Sequence, residues 1–276
     1  MKKFFFAFFV SGIVSYSYAT VDDGFKALGA KDYSAAFSEF YAAAQDGNAE
    51  GQFELGTMYE EGKGTEQNTN LAIIWYRKAV AQQHTGAMVN LGNDYVLGRG
   101  VEKNTAEAIR LYRLAADGGS AVGAMKLGLA YKNGVGAPHD ANQAKQWFQI
   151  SANKGNGIAA TNLGVMFEDG EGGPKNLSDA AKWYRVGLQY GDNNAARFLG
   201  MLYMDGDGVQ KDSVIAYALL SQWPDQSPSL KSMLTLLEGE MSPSQVRRAH
   251  ELSTRMEQNG KIYEVLKKVD DIATTK

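Results

Sequence analysis

The chain repeats one short motif every 36 residues, and this interval does not vary over five copies. Each copy carries a Leu-Gly pair, with an aromatic residue three positions after the glycine. The five pairs are Leu55-Gly56, Leu91-Gly92, Leu127-Gly128, Leu163-Gly164 and Leu199-Gly200. A fixed period of this length is the signature of stacked structural units. Such a chain grows along one axis, so each unit packs on its neighbours instead of around one central core.

Each copy predicts two helices. In the second copy, Ala87, Leu91 and Tyr95 fall on one face at helical spacing. Glycine in a helix interior costs about 1 kcal/mol relative to alanine, so its return in every Leu-Gly pair predicts that another helix packs against that backbone. Aspartate or asparagine residues in register predict the N-caps of the second helices, and they are Asp32, Asn68, Asn104, Asp140, Asn176 and Asp212.

Glycines at fixed positions predict the turns between helices. One glycine follows each Leu-Gly helix as a left-handed C-cap, and a second comes two residues later, as at Gly62 and Gly64. The second helix ends at a glycine in four copies. The remaining copy has Gln83 there, which predicts a different turn.

The full motif resembles the Sel1-like repeat, a relative of the tetratricopeptide repeat. It runs Ala-x-x-x-Leu-Gly-x-x-Tyr-x-x-Gly-x-Gly and then Asn/Asp-x-x-x-Ala-x-x-Trp-Tyr. Trp75-Tyr76, Trp147-Phe148 and Trp183-Tyr184 match its last two positions, and the resemblance covers residues 32–220. It implies an all-α fold, an α-solenoid of stacked antiparallel helix pairs in a right-handed superhelix, with the Leu-Gly helices lining the concave side.

The two ends of the chain depart from the period. Residues 1–19 carry two lysines, an apolar stretch and small residues near Ala19, which predicts a signal peptide cleaved after Ala19 and a periplasmic or secreted protein. The apolar stretch is shorter than the roughly 20 residues that span a bilayer, so no membrane insertion is expected after cleavage. We expect an N-terminal capping helix in residues 20–31, the solenoid in 32–224 and a C-terminal helical cap in 225–276. Whether that cap takes part in binding is left open.

The composition excludes several classes of function. The formal net charge is −3, and it becomes −5 when Lys2 and Lys3 leave with the signal peptide. Because nucleic-acid binding requires a basic face, no nucleic-acid partner is expected. The chain has no cysteine, so it has no disulfide, no thiol nucleophile and no lipidated cysteine.

No residue pattern predicts a catalytic site, a metal site or a cofactor. The three histidines have no second ligand at helical spacing, and the sequence has no nucleophile elbow or phosphate-binding loop. The turn from Asp205 to Gly208 faintly resembles a calcium loop, but it aligns with turns that carry Lys63 and Arg99 in other copies. We therefore expect a protein that is not an enzyme.

Positions that differ between copies on the expected concave face are available to recognise a partner. The candidate protein-binding residues are Phe53, Glu54, Glu60, Asn90, Asn93, Met125, Lys126, Lys132, Asn162, Arg197, Phe198 and Met201. Methionine and phenylalanine among polar neighbours suit an adaptable surface for proteins. The alternative is that the apolar members only pack between adjacent repeats.

These observations predict an exported, non-enzymatic scaffold or adaptor that binds a partner protein or peptide on its concave face. The resemblance also implies narrower alternatives. One is a periplasmic immunity protein that neutralises a secreted antibacterial effector such as a phospholipase. Another is an envelope polysaccharide-assembly or host-interaction factor.

Overall fold

A computed structural model describes residues 21–223, 227–259 and 262–274, which form fifteen α-helices and no strand. The signal peptide predicted for residues 1–19 lies outside these residues. The chain divides into two compact units, Met1–Gln82 and Gln83–Lys276. The fold class is confirmed, because each unit is built from stacked antiparallel helix pairs.

The first unit contains two helix pairs. They are α1 (Val21–Gly29) with α2 (Tyr33–Gln45), and α3 (Ala49–Glu61) with α4 (Thr69–Ala81). We call the first helix of each pair the A helix and the second the B helix. A Cβ atom added to Gly56 on α3 would lie 2.7 Å from the Tyr76 ring of α4, and one added to Gly24 on α1 would lie 2.5 Å from the Phe40 ring of α2. The divergent helix at this end therefore pairs as the regular copies do.

The second unit contains four further pairs and three C-terminal helices. The pairs are α5 (Thr85–Leu97) with α6 (Thr105–Asp117), α7 (Ala121–Asn133) with α8 (Ala141–Asn153), α9 (Gly157–Asp169) with α10 (Leu177–Gln189), and α11 (Ala195–Asp205) with α12 (Ser213–Leu220). The last three helices are α13 (Pro228–Glu240), α14 (Pro243–Asn259) and α15 (Ile262–Thr274).

The predicted N-caps of the B helices are confirmed in all six pairs. In each, a side-chain oxygen of the aspartate or asparagine accepts the backbone N–H three residues later at 3.0 Å. This bond satisfies one of the free N–H groups at the start of a helix. The different turn predicted at Gln83 is wrong, because its φ of 62° is the left-handed conformation that glycine has at that position in other copies.

The close packing predicted at the Leu-Gly positions is also confirmed. A Cβ atom added to Gly128 would lie 2.6 Å from the Phe148 ring, and one added to Gly164 would lie 2.5 Å from the Tyr184 ring. Both rings are fully buried. The helices of a pair therefore approach each other where the A helix has no side chain.

An arginine joins successive pairs in the second unit. The Arg113 guanidinium on α6 donates to the Tyr131 hydroxyl on α7 at 2.7 Å and lies 5.3 Å from the Trp147 ring centroid on α8. Arg185 makes the equivalent hydrogen bond to Tyr203. These contacts fix α6 against α7 and α10 against α11.

The C-terminal helices complete the buried core at that end of the second unit. Leu237, Leu252 and Leu266, from α13, α14 and α15, belong to the same buried cluster as Leu199 and Leu219. The helix α14, which starts at Pro243, has a reciprocal cap at its N-terminus. The backbone N–H of Ser242 donates to the Gln245 side chain at 2.9 Å, and the Gln245 N–H donates to the Ser242 hydroxyl at 3.4 Å.

Candidate functional site

The second unit has a pocket of about 440 Å³ between the A helices α5 and α7 and the B helix α6. This volume falls in the range of about 300 to 1,000 Å³ that is usual for binding pockets. Its walls are mainly aliphatic with a few polar groups, and they include Asn93, Leu97, Ile109, Lys126, Leu129 and Val135. Such a lining provides apolar contact area together with a small number of groups that can orient a ligand.

Two polar residues of the pocket face each other from neighbouring A helices, Asn93 on α5 and Lys126 on α7. The buried Tyr112 hydroxyl donates to Asn93 Oδ1 at 2.8 Å, which fixes the amide of Asn93 and leaves its NH2 group with no partner among the described residues. Lys126 is half-buried, and burial lowers the pKa of its ammonium group. No ion pair or hydrogen bond joins that ammonium group to the part of the chain that the structure describes.

A buried carboxylate lies beside this pocket. Asp94 is 1% exposed, and the guanidinium of Arg99, which lines the pocket, lies 2.9 Å from its Oδ1. Burial first, and the Asp94 charge second, raise the pKa of Tyr112 to about 12. The other copies have an apolar residue at this position, and these are Met58, Ala130, Met166 and Leu202. Among the five copies, a charged residue therefore occupies this position only in the copy that carries Arg99 and contributes α5 and α6 to the pocket.

The structure brings together only two of the residues predicted to bind a partner. Asn93 on α5 and Lys126 on α7 both line the pocket. Phe53, Glu54 and Glu60 all belong to α3 in the first unit. The others lie along α5, α7, α9 and α11 of the second unit, and they are Asn90, Met125, Lys132, Asn162, Arg197, Phe198 and Met201.

The apolar members of the predicted set pack against neighbouring helices. Met125 is 8% exposed and belongs to the buried cluster around Phe148. Phe198 stacks on Tyr184 with ring centroids 5.2 Å apart, and Met201 is partly buried against the C-terminal core. In the first unit, the Phe53 ring lies 6.1 Å from the ring of Tyr76. These contacts fit the alternative of packing between helices.

Several polar members of the set have partners within the chain. The Asn162 amide donates to the Ile158 carbonyl of its own helix at 2.8 Å. The Arg197 guanidinium lies 5.3 Å from the centroid of the Trp223 ring. Asn90 also interacts within the chain. A variable position on an A helix therefore does not by itself mean a free side chain.

Glu60 varies between copies for a structural reason. The Tyr76 hydroxyl donates to Glu60 Oε2 at 2.6 Å, and Tyr184 makes the same hydrogen bond to Glu168. The copy with Phe148 in place of tyrosine has Lys132 in place of glutamate, and that ammonium group lies 3.6 Å from a carboxylate oxygen of Glu171. The pairing of Tyr with Glu is visible in the sequence of these two copies, whereas Tyr112 has Val96 at the glutamate position and donates to Asn93 instead.

Leu97 and Val135 were missed as pocket residues. Leu97 is 62% exposed and Val135 is 40% exposed. The other copies have a polar residue at the position of Leu97, and these are Glu61, Asn133, Asp169 and Asp205. The sequence signal that could have identified Leu97 is an apolar residue at the exposed end of an A helix, where the other copies have a polar one.

Glu54 supports a prediction of pH-dependent stability in the first unit. Burial, followed by the charges of Glu50 and Glu61, raises the pKa of this carboxyl group from 4.5 to about 7. The folded protein thus holds a proton that the unfolded chain releases near pH 4.5, so this group makes the fold less stable as pH rises from about 4.5 to about 7. We expect Glu54→Gln to stabilise the protein at pH 8 relative to the parent, with a smaller difference at pH 4.5.

The measurement is urea unfolding of both proteins at several pH values between 4 and 8. Glu66→Gln, at an exposed position of the same unit, is the matched control. A parallel pH profile for the parent and the Glu54 variant would contradict the prediction.

These features define an α-solenoid of helix pairs that has a mixed apolar and polar pocket between its A helices. A family model described as Sel1 repeat matches residues 49–84, 85–120, 121–156, 157–186 and 193–223. The chain belongs to the Sel1 repeat family. Members of this family are generally non-catalytic scaffolds that mediate protein–protein interactions.

Solved structures include similar proteins. A Sel1 repeat protein from Oxalobacter formigenes is 29% identical, with a TM-score of 0.67 over 79% of this chain and 84% of that one. The protein c5321, a protective antigen of uropathogenic Escherichia coli strains, is 29% identical, with a TM-score of 0.73 over 85% of this chain. The match spans 54% of the length of c5321. Comparison with curated proteins gives no match.

A weaker match is to an immunity protein from Pseudomonas aeruginosa, at 18% identity and a TM-score of 0.49 over 79% of this chain and 80% of that one. A likeness of this degree carries no argument about function. Within the described ranges, no helix is long and apolar enough to cross a bilayer.

Proposed function

We propose that this protein is an exported, non-enzymatic scaffold that binds a partner protein through the A-helix side of its repeats. The observation that carries the proposal is the pocket between α5, α6 and α7. At this pocket, exposed aliphatic side chains lie beside the half-buried Lys126. The chain also belongs to a family of interaction scaffolds. Apolar area surrounded by polar groups is typical of protein-binding surfaces.

Export is supported by the sequence of residues 1–19, which has the order of charged, apolar and small residues found in signal peptides. A periplasmic or secreted location is therefore part of the proposal.

The binding surface proposed for the second unit centres on Asn93 and Lys126, together with Leu97 and Val135. The remaining polar candidates, including Glu54 in the first unit, stay proposals for contacts beyond the pocket. Met125 is buried and supports the surface through the core.

Site-specific crosslinking tests the proposal. A photoreactive benzophenone amino acid is placed at Leu97, which is 62% exposed at the pocket, and in a control protein at Leu114, which is 40% exposed on α6 and does not line the pocket. We expect irradiation in an extract of the cells that make the protein to give one dominant protein adduct from position 97 and a much weaker one from position 114. Equal labelling from both positions, or none from position 97, would contradict the proposal.

The identity of the crosslinked partner separates the narrower roles. An antibacterial effector whose toxicity this protein suppresses would favour the immunity role over a general adaptor. Enrichment of polysaccharide instead of protein would favour a role in envelope polysaccharide assembly.

A further inference from the structure

Lys126 is the one cation of the pocket with no counter-charge among the residues that the structure describes. Arg99 also lines the pocket, but its guanidinium is 2.9 Å from the buried Asp94 carboxylate, which balances its charge. Lys126 is half-buried on α7 and has no such partner in those same residues. A charge that has lost part of its hydration is costly unless a ligand of opposite charge compensates it.

This cation is particular to one copy of the repeat. The other copies have Glu54, Asn90, Asn162 and Phe198 at the position of Lys126. Lys132 on the same helix lies near Glu171, so α7 carries one compensated and one uncompensated lysine. The chemical preference of the pocket is therefore a property of this copy and its neighbour.

The groups around Lys126 define the rest of the ligand. The Asn93 amide is held by the Tyr112 hydroxyl and keeps its NH2 group for a second hydrogen bond. Leu97, Leu129 and Val135 supply aliphatic surface next to these two donors. A ligand that fits must present one anionic acceptor directly beside an aliphatic group.

We propose that the pocket binds an extended segment of the partner protein in which a glutamate or aspartate side chain is flanked by an aliphatic residue. The carboxylate contacts Lys126 Nζ and Asn93 Nδ2, and the aliphatic side chain lies against Leu97, Leu129 and Val135. One carboxylate matches the one uncompensated cation. This assignment rests on the proposed protein-binding function and adds the chemistry of the bound segment.

The test uses short peptides blocked at both ends, so that they have no terminal charge. One carries a central glutamate between two leucines, and a second has glutamine in its place. A carboxylate accepts a stronger, charge-assisted hydrogen bond from an ammonium group than an amide does, so we expect the glutamate peptide to bind the intact protein at least about tenfold more tightly, with the preference decreasing at high salt. Binding is followed by NMR titration, with the amide signals of α5 and α7 as the readout.

Variants assign the preference to Lys126. We expect Lys126→Gln to abolish the preference for the glutamate peptide and Lys126→Glu to favour a lysine-centred peptide. The control is Lys182→Gln, at an exposed lysine of α10 that is paired with Asp179, and it should leave the preference unchanged. Unfolding midpoints of all variants confirm that they fold. Equal binding of both peptides, a preference that persists in Lys126→Gln, or a requirement for an unblocked C-terminal carboxylate would overturn the assignment.

The inference and the proposed function fail in different ways. A protein crosslinked at position 97 whose capture is unchanged by Lys126→Gln would leave the scaffold function standing and overturn the carboxylate site. The absence of any protein adduct, together with a peptide preference that depends on Lys126, would overturn the scaffold function instead.

Discussion

Gly128→Ala is expected to lower the free energy of unfolding by about 1 to 3 kcal/mol, the usual cost of overpacking a core. The added Cβ would lie 2.6 Å from Cδ1 of Phe148, whose ring is fully buried. This cost outweighs the gain of about 1 kcal/mol that alanine brings to a helix interior. Thermal and urea unfolding of the purified protein measure the change.

The chain supplies its own control and its own rescue. In the last pair Leu220 replaces the aromatic ring, and a Cβ on Gly200 would meet its Cγ at 2.9 Å, so Gly200→Ala should cost less than Gly128→Ala. Phe148→Leu copies that arrangement into the third copy. The double variant Gly128→Ala/Phe148→Leu should therefore be more stable than the sum of the two single changes predicts. Additive effects would mean that ring packing is not the reason for this glycine.

Gly136→Ala is expected to destabilise the protein at least as much as Gly128→Ala, for a different physical reason. Gly136 has a φ of 76°, and an added Cβ would lie 2.4 Å from the Thr105 carbonyl oxygen in the first turn of α6. The left-handed conformation costs about 1 to 2 kcal/mol for a residue with a side chain, and the contact with backbone cannot be relieved by a side-chain rotation. We expect a total loss of about 3 kcal/mol in urea unfolding.

Gly134→Ala separates the two contributions. Gly134 has a φ of 67°, nearly the same, but an added Cβ would come no closer than 3.5 Å to the His139 nitrogen. This variant should lose only the conformational part, about 1 to 2 kcal/mol. Because Thr105 and Val135 line the pocket, Gly136→Ala should also weaken binding of the glutamate peptide. Equal unfolding free energies for the two variants would refute the close-approach explanation.

The contact made by the second glycine of each turn could not be predicted from the sequence. The sequence indicated only that the chain turns at this glycine, because backbone conformation is a local property. Its close approach to the preceding B helix, as at Gly64 beside the Tyr33 carbonyl, joins residues about thirty positions apart. A periodic sequence shows that the position is constrained without showing which neighbour constrains it.

The candidate site was predicted in part. Asn93 and Lys126 were found because they vary between copies on one face of the A helices, which helical spacing alone determines. Leu97 and Val135 were missed because they lie at or beyond the ends of those helices, where spacing no longer fixes the face. Asp94 could have been found, since it is charged at a position that is apolar in the other four copies.

The sequence by itself determined the fold, because caps, turn glycines and the A-helix packing glycines act within one repeat of 36 residues, and the repeat recurs. Only the tertiary structure decided which variable side chains are free. Met125 and Phe198 are apolar and pack on adjacent helices, whereas Lys126 remains without a counter-charge among the described residues. Helical periodicity sets the face of a residue, but its burial depends on the size and charge of side chains from the neighbouring repeats.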